Sequence, residues 1–160
     1  SPFVLIVSGN DLKSVEEGQI PLVTEPAEVV AGEAPAFDPA VFEAVDAYIK
    51  AIPQGYGTIS ADDLNVALVE NPPVVIDVRT DGEVSNGIIE GAQHITLSAF
   101  LTAQADWPQD LAAPVVVYDS DGHRSAMAMI AMQMLGYENV KSLAGGVKGW
   151  TAKSYPLVTE

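Results

Sequence analysis

Within VVVYDSDGHRSA, residues 115 to 126, four side chains able to do chemistry stand close together: Asp119, Asp121, His123 and Arg124. An apolar run precedes them and an almost wholly apolar segment follows. Two carboxylates at this spacing can act as a nucleophile beside an acid, or as oxygen ligands for a hard cation; alternatively, Asp119 stands where a different nucleophile belongs. The stretch passes from the end of a strand into a helix expected to begin near His123. Its backbone N–H groups should then converge on a small concavity with a positive helix terminus behind it. Asp119, Ser120, Asp121, Gly122, His123, Arg124 and Ser125 are therefore the candidate ligand or anion loop. The carboxylates of Asp119 and Asp121 are expected at its mouth, opposing any anionic substrate unless Arg124 and the backbone donors outweigh them.

Composition limits what the loop can do. The chain's 160 residues, 48% of them hydrophobic, suffice for one cored domain with additional material. A net charge of −15, from 22 acidic and 7 basic residues, argues against nucleic acid and anionic membrane surfaces as partners, because nothing could neutralise a row of phosphates. With no cysteine there is no disulfide, no thiolate metal site and no thiol catalysis. No apolar run approaches the roughly 18 residues that span a bilayer, and FVLIV near the start is far shorter. The start at Ser1, without Met, fits removal of an export or lipoprotein signal and equally fits a chain trimmed at that point, so the location stays open, with a lean towards exported or periplasmic.

The elements that must position the loop can be read from pattern. Residues 1–37 carry turn formers and little periodicity, and read as an extended N-terminal arm with one short strand. FVLIV could add to a sheet edge, its own or that of a protein partner. Residues 38–56 form an accessory helix and turn: Asp38 caps it, Pro39 opens it, and Val41, Phe42, Val45, Ile49 and Ile52 share a face expected to pack on the main domain. Ser60 and Asp63 resemble a capping box before a short helix. From there VVIDV (74–78), QHITL (93–97), PVVVY (114–118) and NVKSL (139–143) are strand candidates, alternating with helical segments around 81–87, 98–105, 123–135 and 146–153. Alternation of this kind predicts an α/β domain with a central parallel sheet covered on both faces, its sites just beyond the carboxyl ends of the strands. The pentapeptide PLVTE occurs twice, at 21–25 and 156–160, by chance or as the remnant of a duplication.

Three resemblances bear on the loop. VVVYDSDG resembles the opening motif of the haloacid dehalogenase and phosphatase superfamily, which implies Asp119 as nucleophile, Asp121 as general acid and bound magnesium. That family also needs a later lysine and acidic pair, whereas the only acids after Asp121 are Glu138 and Glu160. A calcium loop lacks its further acidic ligands here, and zinc would require His94 and His123 to meet by folding, so no metal or other cofactor is assigned.

The third resemblance spans Ser60 to Trp150. ISADDLNVAL and PPVVIDVRTDGEVSNGIIEGAQHITL look like the entry helix, IDVR strand and E-Y/F-x-x-G-H-I-x-G-A segment of the rhodanese-like family, and the strand after it. VVVYDSDGHRSAMAMIAMQMLGYENVKSLAGGVKGW resembles that family's strand, C-x-x-G-x-R-S loop, apolar helix and closing L-x-G-G-x-x-x-W. The resemblance implies a three-layer domain over residues 57–160 and an ancestral sulfur transfer by a loop cysteine through a persulfide. Carried over by position, Asp119 stands at the cysteine, with Gly122, Arg124 and Ser125 at the loop glycine, arginine and serine; Ile88 replaces the family's histidine. A carboxylate cannot form a persulfide. The expected function is thus a catalytically inactive binding or protein-interaction module in a larger assembly, the alternative being a residual sulfurtransferase or an Asp119-dependent phosphatase.

Only two arginines occur, Arg79 and Arg124, both at motif positions. Arg124 is expected to pair with Asp77, Glu83 or Asp119 and tie the loop to the sheet. Asp77, Arg79, Gly145, Gly146 and Trp150 are expected to be structural. The four methionines, Met127, Met129, Met132 and Met134, read as core filler.

Overall fold

The computed structural model describes residue 32 and residues 35–159. The expected strand of the arm and the first PLVTE copy lie outside the described residues. Three alternating elements supply the core of the sheet: β2 (Val74–Asp77), β4 (Val115–Tyr118) and β5 (Val140–Leu143). Two edge strands of two residues each complete it, β1 (Thr58–Ile59) and β3 (Gln93–His94), in the order β1-β5-β4-β2-β3. All pairings are parallel. β4 shows why the sheet is covered on both sides. Val115 and Val117 enter one core with Ile76, Phe100, Trp107, Met129 and Met132, while Val116 and Tyr118 enter the other with Leu64, Ile89, Leu143 and Trp150. Period-two side-chain alternation thus feeds two hydrophobic layers from one apolar run.

The helices are α1 (Pro39–Ala51), α2 (Ala61–Glu70), α3 (Asp81–Val84), α4 (His123–Met134) and α5 (Gly146–Ala152), with 3₁₀ turns at Leu97–Thr102 and Gln104–Asp106. As expected, the Asp38 carboxylate caps α1 by accepting from the N–H groups of Ala40 and Val41. Ser60 accepts from the Asp63 N–H, but the Asp63 carboxylate answers the Ser60 hydroxyl, since aspartate is a methylene shorter than glutamate. QHITL yields only the two-residue β3 before the chain turns into 3₁₀ helix at Leu97. β1 was not anticipated: two residues are too short for any periodic signal.

Two packing expectations are corrected. α1 forms but has no buried residue: Val41, Phe42 and Ile49 are 61%, 57% and 61% exposed. Its described polar tether to the domain is a hydrogen bond from the Tyr48 hydroxyl to Gln133 Oε1 at 2.8 Å. Of the methionines, Met129 and Met132 are core residues, whereas Met127 and Met134 are 61% and 46% exposed. The 3.6-residue period explains the split, because Ser125, Ala128, Met129 and Met132 define the buried stripe of α4 and the other two fall beside it. Among the described residues no helix is long and apolar enough to cross a membrane.

Candidate functional site

β2 and β4 lie side by side, with Asp77 registered against Tyr118. The chain leaves β2 towards β3 on one side and returns to β4 on the other, so the loops that follow β2 and β4 diverge above the sheet and open a crevice. Asp119 begins the second of these loops. Gly122, in a left-handed conformation at φ 109°, turns the chain into α4.

The loop does wrap around an anion, and the anion is its own first residue. Asp119 is fully buried. Its Oδ1 accepts from the Gly122 N–H at 2.7 Å and the Ser125 hydroxyl at 2.8 Å. Its Oδ2 accepts from the Arg124 N–H at 3.2 Å and the Arg124 Nε at 3.5 Å. Behind it, the hydroxyls of Ser125 and Ser142 are 2.8 Å apart, linking the loop to β5. The expectation that both carboxylates sit at the mouth is therefore corrected. Asp119 faces inward because the converging N–H donors attract it there, and Asp121 alone stays at the rim. Asp121 takes a hydrogen bond from Lys148 Nζ at 3.2 Å and lies 3.1 Å from His123 Nδ1, and these neighbours hold its carboxyl below the usual range. The His123 side chain is 87% exposed.

Arg124 reaches across the crevice. Its Nη1 and Nη2 donate to the two carboxylate oxygens of Glu83 at 2.8 and 2.7 Å, a bidentate pair. Ser120 Oγ donates to Glu83 Oε1 at 2.6 Å, and Thr80 donates to Oε2 through both its N–H and its hydroxyl. These donors, Arg124 foremost, hold the Glu83 carboxyl far below the ordinary carboxylate range, and the Glu83 carboxylate in turn pushes the Arg124 guanidinium up. Of the three acids considered for Arg124, Glu83 takes the main contact and Asp119 a longer one. Asp77 is engaged elsewhere. Its carboxylate holds Arg79, with Nη2 to Oδ2 at 2.6 Å, and Arg79 also donates to the carbonyls of Gly87 and Glu83. Arg79 lies 5.7 Å from the Tyr118 ring centroid, and burial pushes the Tyr118 hydroxyl up.

α5 closes the crevice from the third side. The carbonyls of Asp119 and Ser120 accept from the N–H groups of Val147 and Lys148 at 2.8 and 3.1 Å. Gly145 and Gly146 both have positive φ, 72° and 53°. A Cβ on Gly146 would collide with the Asp119 carbonyl oxygen and lie 2.6 Å from the Asp121 nitrogen, so the loop rests directly on backbone there. Trp150 is buried beneath. His94, by contrast, hydrogen-bonds the Arg79 carbonyl from the β3 side, while His123 points out beside Asp121. Among the described residues no three His, Asp or Glu side chains are grouped to hold a metal ion.

Sequence reasoning missed an apolar groove of about 550 Å³ along the loop's flank, lined in part by Tyr56, His123, Met127, Ile130 and Gly145. Met127, the exposed methionine on its wall, was its only trace. Chemically, then, the site holds a satisfied internal carboxylate, a locked arginine and an open apolar flank.

Comparison with known proteins gives the frame for that geometry. Residues 60–153 match the rhodanese-like domain family. A sulfurtransferase of Allochromatium vinosum is 29% identical over 101 residues, covering 62% of this chain and 92% of that protein. A thiosulfate sulfurtransferase GlpE of Pseudomonas fluorescens is 37% identical over 95 residues, covering 56% and 80%. Among solved structures, a rhodanese-related protein from Thermoplasma volcanium superposes with a TM-score of 0.59 at 30% identity, covering 66% of this chain and 100% of the other. The human single-domain sulfurtransferase gives 0.56 at 27% identity, covering 61% and 96%.

Proposed function

Because the chain belongs to the rhodanese-like domain family, we propose that it is a member that has lost sulfur transfer and works as a binding or protein-interaction module within a larger assembly. The observation that carries this reading is the Asp119 carboxylate filling the loop that its position implies should hold a catalytic thiol. A thiolate attacks sulfane sulfur and then carries it as a persulfide; a carboxylate can do neither, and no cysteine exists elsewhere in the chain to take over. The charge of Asp119 also opposes thiosulfate at the one point where the backbone donors converge. Nucleophilic use of Asp119 in phosphoryl transfer is disfavoured for a related reason: both of its oxygens are occupied by donors inside the loop.

The binding half of the reading draws support from the apolar groove beside the loop and from the uncovered face of α1. Residues 57–160 are then the binding domain, residues 38–56 an accessory element and residues 1–37 an arm through which a protein partner can be engaged.

The purified chain should show no thiosulfate:cyanide sulfurtransferase turnover above background, and turnover would sink the reading. Asp119→Cys sharpens the test. A persulfide there would place its outer sulfur where the Asp119 oxygens now sit, within reach of the Gly122 and Arg124 N–H groups. Incubated with thiosulfate, that variant should release sulfite and gain the mass of one sulfur atom. A folded variant that gains nothing would mean that the loop has lost more than its nucleophile.

A further inference from the structure

The PLVTE repeat is not explained by the loop, and its second copy has a defined job. After α5 the chain doubles back, and Pro156, Leu157 and Val158 each make a different contact. The Pro156 carbonyl accepts from the Trp150 indole N–H at 2.9 Å. Leu157 joins the core layer of Leu64, Ile89 and Trp150, and it does so over Gly87: a Cβ on that glycine would lie 2.9 Å from the Leu157 Cβ. Val158 pairs with Ile88 as an isolated antiparallel bridge, with both N–H···O bonds at 2.8 Å. The segment is a tail that closes a groove between the glycine after α3 and the tryptophan of α5.

Both groove residues stand at motif positions of the rhodanese-like pattern, Gly87 in the E-x-x-x-G segment and Trp150 in the closing G-G-x-x-x-W. A second unit of the family would present this receptor where it sets the same glycine and tryptophan against one another. In this chain the receptor is filled by a segment attached a few residues from Trp150, an effective concentration with which a distant copy cannot compete.

Laid on residues 139–160 without a gap, residues 4–25 match at all five positions of PLVTE and, outside it, at Lys13 on Lys148 alone; Asp11 falls on Gly146 and Val15 on Trp150, so the likeness is that of the tail and not of the unit before it.

We propose that residues 21–25 are a docking tail for a second rhodanese-like unit, closing its Gly/Trp groove as residues 156–159 close the groove here. The proposal rests on family membership and on the tail's contacts, and is independent of whether Asp119 abolishes catalysis.

The test uses the chain ending at Tyr155, with Leu22→Ser and Val23→Ser so that its own first copy cannot fill the vacated groove. Synthetic peptides spanning residues 17–25 and 152–160 are titrated in, with a scrambled 17–25 peptide as control. The readouts are the Trp150 indole N–H resonance and the thermal midpoint. The two native peptides should bind within about threefold of one another and raise the midpoint, with the scrambled peptide at least about tenfold weaker. Binding by 152–160 alone overturns the proposal, as does binding by neither. If the shortened chain does not fold, the full-length chain with Val158→Pro, Leu22→Ser and Val23→Ser replaces it, since proline removes the Val158 donor while leaving the chain intact.

Discussion

Asp119 is stable where it is because Gly122, Arg124 and Ser125 turn their donors towards its carboxylate. Two backbone N–H groups, one hydroxyl and a guanidinium edge surround a fully buried carboxylate. That arrangement depends on Gly146, where the loop lies against the start of α5 with no room for a side chain. Gly146→Ala should therefore destabilise the protein by about 3 kcal/mol, measured by urea unfolding, since it adds a backbone collision to a positive-φ penalty. Gly82→Ala, which meets open space, should fall within about 0.5 kcal/mol of the parent. The motif positions of these residues were legible from residue order alone, because the spacing of Asp119, Gly122, Arg124 and Ser125 and the glycine pair survive as a pattern. The inward turn of Asp119 was not. It is decided by competition between solvent and converging N–H donors, a three-dimensional quantity that no spacing encodes. Arg124's choice of Glu83 over Asp77 was hidden for the same reason: Asp77 is already held by Arg79, within two residues of it.

At the scale of elements, the helices and inner strands follow their periodicity, and the departures occur where an element's partner is missing or short. α1 has a well-formed apolar face and a proper cap, yet its face remains open. Amphipathic pattern specifies that a helix has a face to bury; it does not specify that the same chain buries it. Phe42→Ser and Ile49→Ser should accordingly change unfolding free energy by less than about 0.5 kcal/mol each, while Leu64→Ala, in a fully buried site of the adjoining helix, should cost about 3 kcal/mol. A large loss at Phe42 would mean that α1 is covered within the folded protein. Of the edge strands, β3 was read too long and β1 not at all, because each is two residues long and owes its conformation to the neighbour it pairs with.

For the whole molecule, the central crevice and the acid balance determine the response to pH. The Glu83, Asp62 and Asp121 carboxyls are all held below their ordinary range, by Arg124, Lys153 and His123 respectively as the leading partners. A carboxyl depressed in the folded state contributes stability that is fully present above its unfolded value, about 4.3 for glutamate, and is lost as pH falls towards its folded value. The unfolding free energy should thus decline below about pH 4, and Glu83→Gln should flatten that decline while costing about 1 kcal/mol at neutral pH. An unchanged acid slope in the variant would show that the Glu83–Arg124 pair contributes little. The inward Asp119 has a further consequence, in the language of mass action. A concavity lined with N–H donors and left vacant gains stability from whatever anion dissolves into it, so its folding tracks the buffer's sulfate, phosphate or chloride. Here the ligand is tethered to its own receptor, at a local concentration no solution reaches, and occupancy is complete in pure water. The crevice is consequently saturated from within, and the thermal midpoint should respond no more to sulfate or phosphate than to chloride at equal ionic strength.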